Sequence, residues 1–238
     1  PSEYQGLDRF DARKRILADL KAHELLVETR PHKLMIPRGD RTQSVIEPML
    51  TDQWYVAMEG MAKRGLDVVA QGEVKFVPEN WTHTYQQWLE NIQDWCISRQ
   101  LWWGHRIPAW YDEVGNVTVA HDLEEAQRLS GKDQLIQDED VLDTWASSWL
   151  WPTAVFDGFN DNCFDKKTGK IIAGKNKDLD YFYPTQVLVT APEILFFWVA
   201  RMIIAGYEYM DRKPFEDVYL TGIVRDKLGR KMSKRLGN

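Results

Sequence analysis

The 238-residue sequence predicts an α/β protein whose core is a parallel β-sheet. The apolar run 187–189 predicts a buried strand, 193–209 predicts a helix, and 217–224 predicts the next strand. A strand, a helix and a second strand joined by short connections favour a parallel pair with a right-handed crossover. Ligands of open parallel sheets bind beyond the carboxyl ends of the strands, so 190–194 and 221–225 are the expected ligand-facing segments.

Three further helices are predicted upstream of these strands. Asp8 is a suitable N-cap residue and begins the first of them. Residues 58–63 predict a second helix that ends before Gly65, since glycine breaks helices. Aromatic and apolar residues recur at helical spacing over 81–95, which predicts a third helix whose apolar side chains pack in the core.

Two polar stretches interrupt this pattern. The charged segment at about 112–137 opens with a turn, and we expect it to form a small insertion on the main sheet. The segment at about 157–180 is rich in Asn, Asp, Lys and Gly, which predicts a polar surface loop with a hairpin at 167–170. The sequence indicates no function for either stretch.

The composition suits one or two folded domains, since 44% of the residues are hydrophobic. Cys96 and Cys163 are too few for a disulfide framework and lack Cys-x-x-Cys spacing, so we expect free thiols and no bound zinc. The apolar run 194–200 is far shorter than the about 18 residues that suggest a membrane span. No signal peptide is visible at the polar start, and we expect a cytoplasmic protein without a membrane partner.

The last fourteen residues, 225–238, reverse the charge of the chain. They hold six cations and one acid in a protein of net charge -6. Lys and Arg beyond a strand can neutralise charge that moves onto a phosphate oxygen, which predicts nucleotide chemistry. The alternative is a solvated basic tail or a nonspecific anion patch.

Within this segment, the order of residues 231–235, Lys-Met-Ser-Lys-Arg, resembles the phosphate-binding loop of class I aminoacyl-tRNA synthetases, usually written KMSKS. The resemblance implies that Lys231 and Lys234 are catalytic and neutralise the β- and γ-phosphates of ATP. Met232 and Ser233 complete the implied ATP-binding loop. Arg235 departs from the family, which usually has Ser at this position, so the affinity or mobility of the loop is expected to differ.

Three further segments, 97–111, 138–145 and 188–202, resemble valyl-tRNA synthetases of this class and occur in the family's order. The resemblance implies that 43–238 is the second half of a Rossmann-like parallel-sheet catalytic domain.

Segment 6–13 resembles the end of the family's inserted editing domain. The resemblance therefore implies that 1–42 is the C-terminal tail of that insertion. The His-Ile-Gly-His motif of the family and its anticodon-binding helices are absent from the sequence. We therefore expect an internal piece of a larger enzyme, inactive when isolated.

The same resemblance implies an amino-acid site. Trp145, Ile194 and Trp198 match the residues that line the valine side-chain pocket of the family, and the alternative for each is ordinary core packing. Ile194 and Trp198 lie four residues apart, which predicts one helix face. Ala146 departs from the usual Phe and is expected to loosen the packing behind the pocket. Glu193 has two interpretations: a helix cap paired with the preceding Thr, or a contact to the ribose of ATP.

The activity implied by the resemblance is that of a valine–tRNA ligase. Its partners are valine, ATP and tRNA(Val); Mg²⁺ accompanies ATP, no protein-built metal site is expected, and the larger enzyme is expected to be monomeric. Threonine is nearly isosteric with valine, so editing of mischarged threonine is expected from residues upstream of this chain. Two alternatives stay open: a sister enzyme that activates isoleucine or leucine, and a non-enzymatic module that binds tRNA or nucleotide.

The segment 102–106, Trp-Trp-Gly-His-Arg, also has two interpretations. Aromatic side chains and Arg bind unstacked bases well, so this segment could contact the tRNA end. The alternative is a packed hinge between the editing and catalytic parts.

Overall fold

The computed structural model describes residues 2–39, 42–233 and 237. The chain divides into two compact units, Pro1–Thr51 and Asp52–Asn238. The first unit contains helix α1, Arg9–Ala22, and the predicted N-cap is confirmed, because the Asp8 carboxylate accepts a hydrogen bond from the backbone N–H of Phe10 at 2.9 Å. None of the residues of α1 is buried. Its assignment to an editing insertion stays a prediction.

The second unit contains the strands and the remaining helices. The strands are β1 Tyr55–Val56, β2 Lys75–Val77, β3 Trp95–Cys96, β4 Ser98–Arg99, β5 Ala109–Tyr111, β6 Val117–Val119, β7 Ile136–Gln137, β8 Val141–Leu142, β9 Phe164–Asp165, β10 Lys170–Ile171, β11 Thr185–Thr190 and β12 Phe215–Leu220. The α-helices are α2 Glu59–Ala70, α3 Trp81–Glu90, α4 Leu123–Ser130, α5 Thr144–Ser148, α6 Trp151–Ala154, α7 Lys177–Phe182 and α8 Arg201–Met210. A 3-10 turn, Pro192–Ile194, and a π-helical segment, Leu195–Ala200, lead into α8.

The main sheet is parallel, as predicted, with strand order β11-β12-β2. The central strand β12 carries the core, since Phe215 and Val218 are fully buried. This strand ends at Leu220, four residues earlier than predicted. The strand predicted at 187–189 forms within β11, but its predicted burial is wrong: Val187 and Val189 are 53% and 62% exposed. The reason is that β11 is an edge strand among the described residues, and the face that these two valines share is uncovered.

Helices α2, α3 and the 195–210 segment pack against the sheet around buried residues that include Tyr85, Leu195 and Ile203. The predicted break at Gly65 is wrong, because α2 continues through it to Ala70. A Cβ on Gly65 would lie 3.0 Å from Leu89 Cδ2 and 3.1 Å from the Tyr85 hydroxyl, so glycine lets α3 approach closely. This contact offsets the low helix propensity of glycine.

The third predicted helix ends earlier than its aromatic spacing suggested. Helix α3 stops at Glu90, and Trp95 lies in strand β3. Trp95 is nevertheless buried, because its ring packs edge-on against Trp149 with centroids 5.3 Å apart. Its burial, rather than helical periodicity, explains the aromatic residue at this position.

The two polar stretches fold locally. Segment 112–137 pairs β6 and β7 with β5 in a separate antiparallel sheet, so the expected addition to the main sheet is wrong. The predicted hairpin forms between β9 and β10, with Gly169 at a φ of +69°. The surface-loop prediction for 157–180 is incomplete, because Cys163, Ile171 and Leu179 are buried there. Ile171 and Leu179 form a small hydrophobic cluster with Tyr183, against which Tyr209 and Met210 of α8 pack.

Among the residues described by the structure, no helix is both long and apolar enough to cross a membrane.

Candidate nucleotide and amino-acid site

The carboxyl ends of β11 and β12 lie side by side, as the sequence predicted. Thr190 is the register partner of Leu220, and the backbone N–H of Thr221 donates to the carbonyl of Thr190 at 2.9 Å. The segments that follow, 190–194 and 221–225, therefore leave the sheet at one edge. We call this edge the carboxyl edge; in open parallel sheets it is where ligands bind.

Glu193 and Arg225 meet across the carboxyl edge. Their side chains form an ion pair at 3.5 Å between Glu193 Oε1 and an Arg225 guanidinium nitrogen, and both are partly exposed. The predicted capping box is wrong, because the 3-10 turn begins after Ala191 without a side-chain cap. Thr190 stays in β11, and Pro192 has no backbone N–H to be capped. The contact between Glu193 and ribose stays a prediction.

Residues 225–231, which we call the signature turn, form a tight hairpin that precedes the proposed phosphate loop. Arg225 and Lys231 form an antiparallel bridge, and Gly229 adopts a φ of +76°. The Asp226 carboxylate accepts hydrogen bonds from the backbone N–H groups of Leu228 and Arg230, each at 2.9 Å. The Arg230 guanidinium donates to the same carboxylate at 2.8 Å. Asp226 thus fixes the path of the backbone into Lys231.

Lys231, the last residue of the signature turn, is exposed, as are Met232 and Ser233 that follow it. Lys234, the other predicted catalytic lysine, lies outside the described residues, as does Arg235. The electrostatic character of the segment comes from its exposed cations, among them Lys227. An exposed cationic loop at the carboxyl edge is suited to binding phosphates.

The proposed pocket residues lie on α5 and on the two short helical segments that lead into α8. The Trp145 ring, on α5, stacks on Phe197 with centroids 6.0 Å apart. The indole N–H of Trp198 donates to the carbonyl of Ser148, the last residue of α5, at 3.0 Å. Ile194 belongs to the 3-10 turn just before the π-helical segment. All three predicted pocket residues are half-buried, so a surface remains that a ligand could contact.

The spacing argument for Ile194 and Trp198 is wrong in its geometry. It assumed one α-helix, whereas Ile194 lies in a 3-10 turn and Trp198 in a π-helical segment. A π-helical turn is wider than an α-helical turn, so a separation of four residues no longer fixes a shared face. π-Helical turns occur frequently at functional sites. The role of both residues in a valine pocket stays a prediction.

Four residues behind Trp145 form a group that we call the aromatic clamp: Trp95, Arg99, Asp143 and Arg201. Asp143, at 8% exposure, accepts hydrogen bonds on Oδ2 from Trp95 Nε1 at 3.0 Å and from the Arg99 guanidinium at 2.9 Å. The buried Arg201 guanidinium lies over the Trp95 ring, 3.8 Å from its centroid. Burial lowers the pKa of Arg201 to about 10, although the Asp143 charge opposes that shift and Arg99 adds to it.

Sequence reasoning missed the aromatic clamp. One signal was available: Arg201 interrupts an otherwise apolar segment, and a buried charge needs a partner. The partnership of Asp143 with Trp95 had no local signal, because 48 residues separate them.

A cavity of about 450 Å³ lies beside the aromatic clamp. Arg99, Arg201, Trp88 and Phe196 contribute to its lining, whereas Trp145, Ile194 and Trp198 do not. The cavity therefore does not coincide with the predicted valine pocket. Within the described part of the chain, no group of three or more His, Cys, Asp or Glu side chains is placed to hold a metal ion. The expectation of no bound zinc stays a prediction.

Comparisons with known proteins point to one family. A family model described as "tRNA synthetases class I (I, L, M and V)" matches residues 16–238. A protein of Xanthomonas campestris pv. campestris (strain B100) named valine–tRNA ligase is 53% identical over 100% of this chain and 24% of its own length. A valine–tRNA ligase of Chlorobaculum tepidum is 54% identical over 99% of this chain and 25% of its own length. The chain thus spans about a quarter of the length of these curated relatives.

The fold has a counterpart among solved structures. A crystal structure of Mycobacterium tuberculosis methionyl-tRNA synthetase bound by methionyl-adenylate superposes with a TM-score of 0.50. The match covers 85% of this chain and 32% of that chain at 15% sequence identity. It supports a Rossmann-like fold for this chain.

Proposed function

Because the chain belongs to the class I tRNA synthetase family, we propose that it forms part of the catalytic domain of a valine–tRNA ligase. The observation that carries this proposal is the carboxyl edge, where Glu193 and the signature turn meet beyond two neighbouring parallel strands. The identity of more than half to proteins named valine–tRNA ligase supports valine as the amino acid.

The reaction has two steps. The valine carboxylate attacks the α-phosphate of ATP to give valyl-adenylate and pyrophosphate, and the acyl group then passes to the terminal adenosine of tRNA(Val). The first step needs little proton transfer, so positioning and electrostatic stabilisation dominate its rate. This requirement fits a loop of lysines better than a side-chain base. Mg²⁺ would arrive with ATP.

Lys231 and Lys234 would neutralise the β- and γ-phosphates while pyrophosphate leaves. The hairpin hydrogen bonds of Asp226 support this role for Lys231, because they hold the backbone that leads into it. Met232 and Ser233 would complete the ATP-binding loop. Glu193 would accept hydrogen bonds from the ribose, and its ion pair with Arg225 would keep its carboxylate at the carboxyl edge.

Trp145, Ile194 and Trp198 would form the wall around the valine side chain. The hydrogen bond from the Trp198 indole to the carbonyl of Ser148 supports this arrangement, because it connects the π-helical segment to α5. Apolar contact favours a branched aliphatic group and excludes longer ones by size. Such a wall discriminates only weakly against threonine, about 100-fold in the general example of valyl-tRNA synthetase itself, so we expect the larger enzyme to edit mischarged threonine.

The tRNA end would contact the segment that contains Trp102 and Trp103. Both side chains are almost completely exposed, which supports stacking with unpaired bases. We also propose that the larger enzyme is cytoplasmic and monomeric. We propose that the isolated chain is inactive, because the sequence holds only part of the family's motifs.

Amino-acid-dependent exchange of pyrophosphate into ATP by the full-length protein tests this function. Valine, isoleucine, leucine and threonine are supplied in turn. We expect strong exchange with valine and weaker exchange with threonine. Exchange with isoleucine or leucine instead would contradict the valine pocket, and no exchange with any amino acid would favour a module that only binds nucleotide or tRNA.

A further inference from the structure

Helix α5 is only five residues long and is anchored at both ends. At its start, Asp143 is the N-cap residue and its Oδ1 accepts a hydrogen bond from the backbone N–H of Trp145 at 3.4 Å. At its end, the carbonyl of Ser148 accepts from Trp198. A helix this short has little stability of its own, so its orientation depends on these anchors.

The Asp143 carboxylate is itself fixed by two other elements. Its Oδ2 accepts from the indole of Trp95, in β3, and from the guanidinium of Arg99, in β4. Arg99 is in turn held by the carbonyls of Cys96 and Ser98, at 2.9 and 2.8 Å. The two oxygens of one carboxylate therefore connect the buried Trp95 indole and the partly exposed Arg99 guanidinium to the backbone of Trp145.

The Trp95 ring has little freedom to move. Trp149 packs edge-on against it, and the Arg201 guanidinium lies 3.8 Å from its centroid. Trp95 is only 6% exposed. A hydrogen bond donated by such an immobile ring gives Asp143 a defined position.

We propose that Asp143 is a positioning residue for amino-acid discrimination: held by Trp95 and Arg99, it fixes the start of α5 and thereby the Trp145 wall. This inference rests on the proposed function, because it requires that Trp145 faces the substrate side chain. Asp143 contacts no substrate in this scheme. Its effect reaches the amino acid only through the orientation of α5.

Loss of the Asp143 anchor should change the selectivity for amino acids more than the binding of ATP. If the wall shifts outward by a fraction of an ångström, a side chain one methylene longer than valine fits better, whereas the phosphate loop is unaffected. One methylene in an apolar pocket changes selectivity by about 10- to 200-fold, so loosening the wall has room to act. A residue that only stabilised the fold would lower the rates with all amino acids in parallel.

The test uses the full-length protein and pyrophosphate exchange with valine and isoleucine. The variants are Asp143→Asn, Trp95→Phe and Arg99→Gln, which weaken the clamp from three different elements. For each we expect a valine KM about tenfold higher and a valine-over-isoleucine preference about tenfold lower. The KM for ATP is expected to stay within about twofold of the unchanged protein.

Trp149→Phe is the matched control. Trp149 is buried in the same cluster, and no hydrogen bond from its indole is seen to any described residue. Phenylalanine keeps an aromatic ring against Trp95, so the packing that holds Trp95 is retained. The substitution should therefore leave the preference for valine unchanged. Thermal unfolding of each variant shows whether it is folded, and a variant that fails to fold is replaced in the comparison by the other two.

The outcomes separate the two proposals. If the wild-type protein shows pyrophosphate exchange with no amino acid, the proposed function is contradicted. A protein that exchanges with valine, but whose clamp variants keep the full valine preference or lose activity equally with valine and isoleucine, contradicts the positioning role of Asp143. Loss of preference in the Trp149→Phe control would also contradict it, because packing rather than the hydrogen bond would then be responsible.

Discussion

The signature turn and the aromatic clamp are held by different kinds of interaction. In the signature turn, backbone groups and the Asp226 carboxylate form a hairpin whose cations remain exposed. In the aromatic clamp, the buried Trp95 ring contacts the buried Asp143 carboxylate and the buried Arg201 guanidinium. Exposed charge pairs contribute little to stability, whereas removal of one partner of a buried charged pair is strongly destabilising. Substitutions in the turn should therefore change the rate, and substitutions around the clamp should change stability or selectivity.

The largest expected effect is that of Lys231→Ala in the full-length protein. Loss of one cation that neutralises the leaving pyrophosphate should lower the rate of adenylate formation by about 10²- to 10³-fold. The thermal unfolding midpoint should not change, because Lys231 is exposed. Single-turnover formation of adenylate measures the rate.

Lys227→Ala is the control for this prediction. Lys227 is an exposed lysine in the same signature turn, so its removal makes the same change in net charge. An equal loss of rate in both variants would show that the general charge of the turn matters, rather than the position of Lys231. Lys234→Ala is expected to behave like Lys231→Ala, with valine binding largely retained.

Gly206→Ala tests the prediction that substitutions near the buried aromatic clamp change stability. Gly206 lies in α8, which begins at Arg201, and a Cβ there would lie 2.6 Å from the Tyr183 hydroxyl and 2.7 Å from the carbonyl oxygen of Arg212. The carbonyl belongs to the backbone and cannot easily move away. We expect the substitution to lower the free energy of unfolding by about 1–3 kcal/mol.

Gly60→Ala is the matched control in a helix. A Cβ on Gly60 meets no atom within 4 Å, so the same substitution should stabilise the chain by about 0.5–1 kcal/mol through helix propensity. Urea unfolding monitored by tryptophan fluorescence measures both variants. If the two glycine variants were equally stable, the tight packing of α8 would be contradicted.

A smaller effect is expected from the ion pair at the carboxyl edge. Glu193→Gln should raise the KM for ATP about tenfold if its carboxylate binds ribose, and Arg225→Gln should raise it less. Both side chains are partly exposed, so neither variant should change the free energy of unfolding by more than about 0.5 kcal/mol. Equal KM values for Glu193→Gln and the unchanged protein would remove Glu193 from the ATP site.

The smallest expected effect is on how the free energy of unfolding changes at acidic pH. Burial raises the pKa of Asp138, but hydrogen bonds from Trp54, the backbone of Asp140 and Tyr111 outweigh it, so the pKa lies below its ordinary value of 3.8. A lowered pKa gives stability that is present above the unfolded pKa and lost as the pH falls through the folded pKa. Asp138→Asn should therefore reduce stability at neutral pH, and its unfolding curve should approach that of the unchanged protein below pH 3.8. A constant difference at every pH would contradict this account.

Local chemistry in the sequence was enough for several features. The strand, helix and strand at the end of the chain predicted a parallel sheet, because their periodicity and short connections leave few alternatives. The N-cap at Asp8 and the hairpin near Gly169 followed from single residues with strong conformational preferences. The cationic segment after β12 could be found for the same reason, since charge and order are properties of neighbouring residues.

Tertiary structure alone decided the rest, because it depends on residues far apart in the chain. Gly65 is part of a helix because Leu89 and Tyr85 occupy the space that a side chain at this position would need. The valines of β11 are exposed because that strand pairs with one neighbour among the described residues. The partnership of Asp143 with Trp95 spans 48 residues and appears in no local pattern. Sequence periodicity determined which elements form, while contacts between side chains far apart in the chain decided how α5 is held.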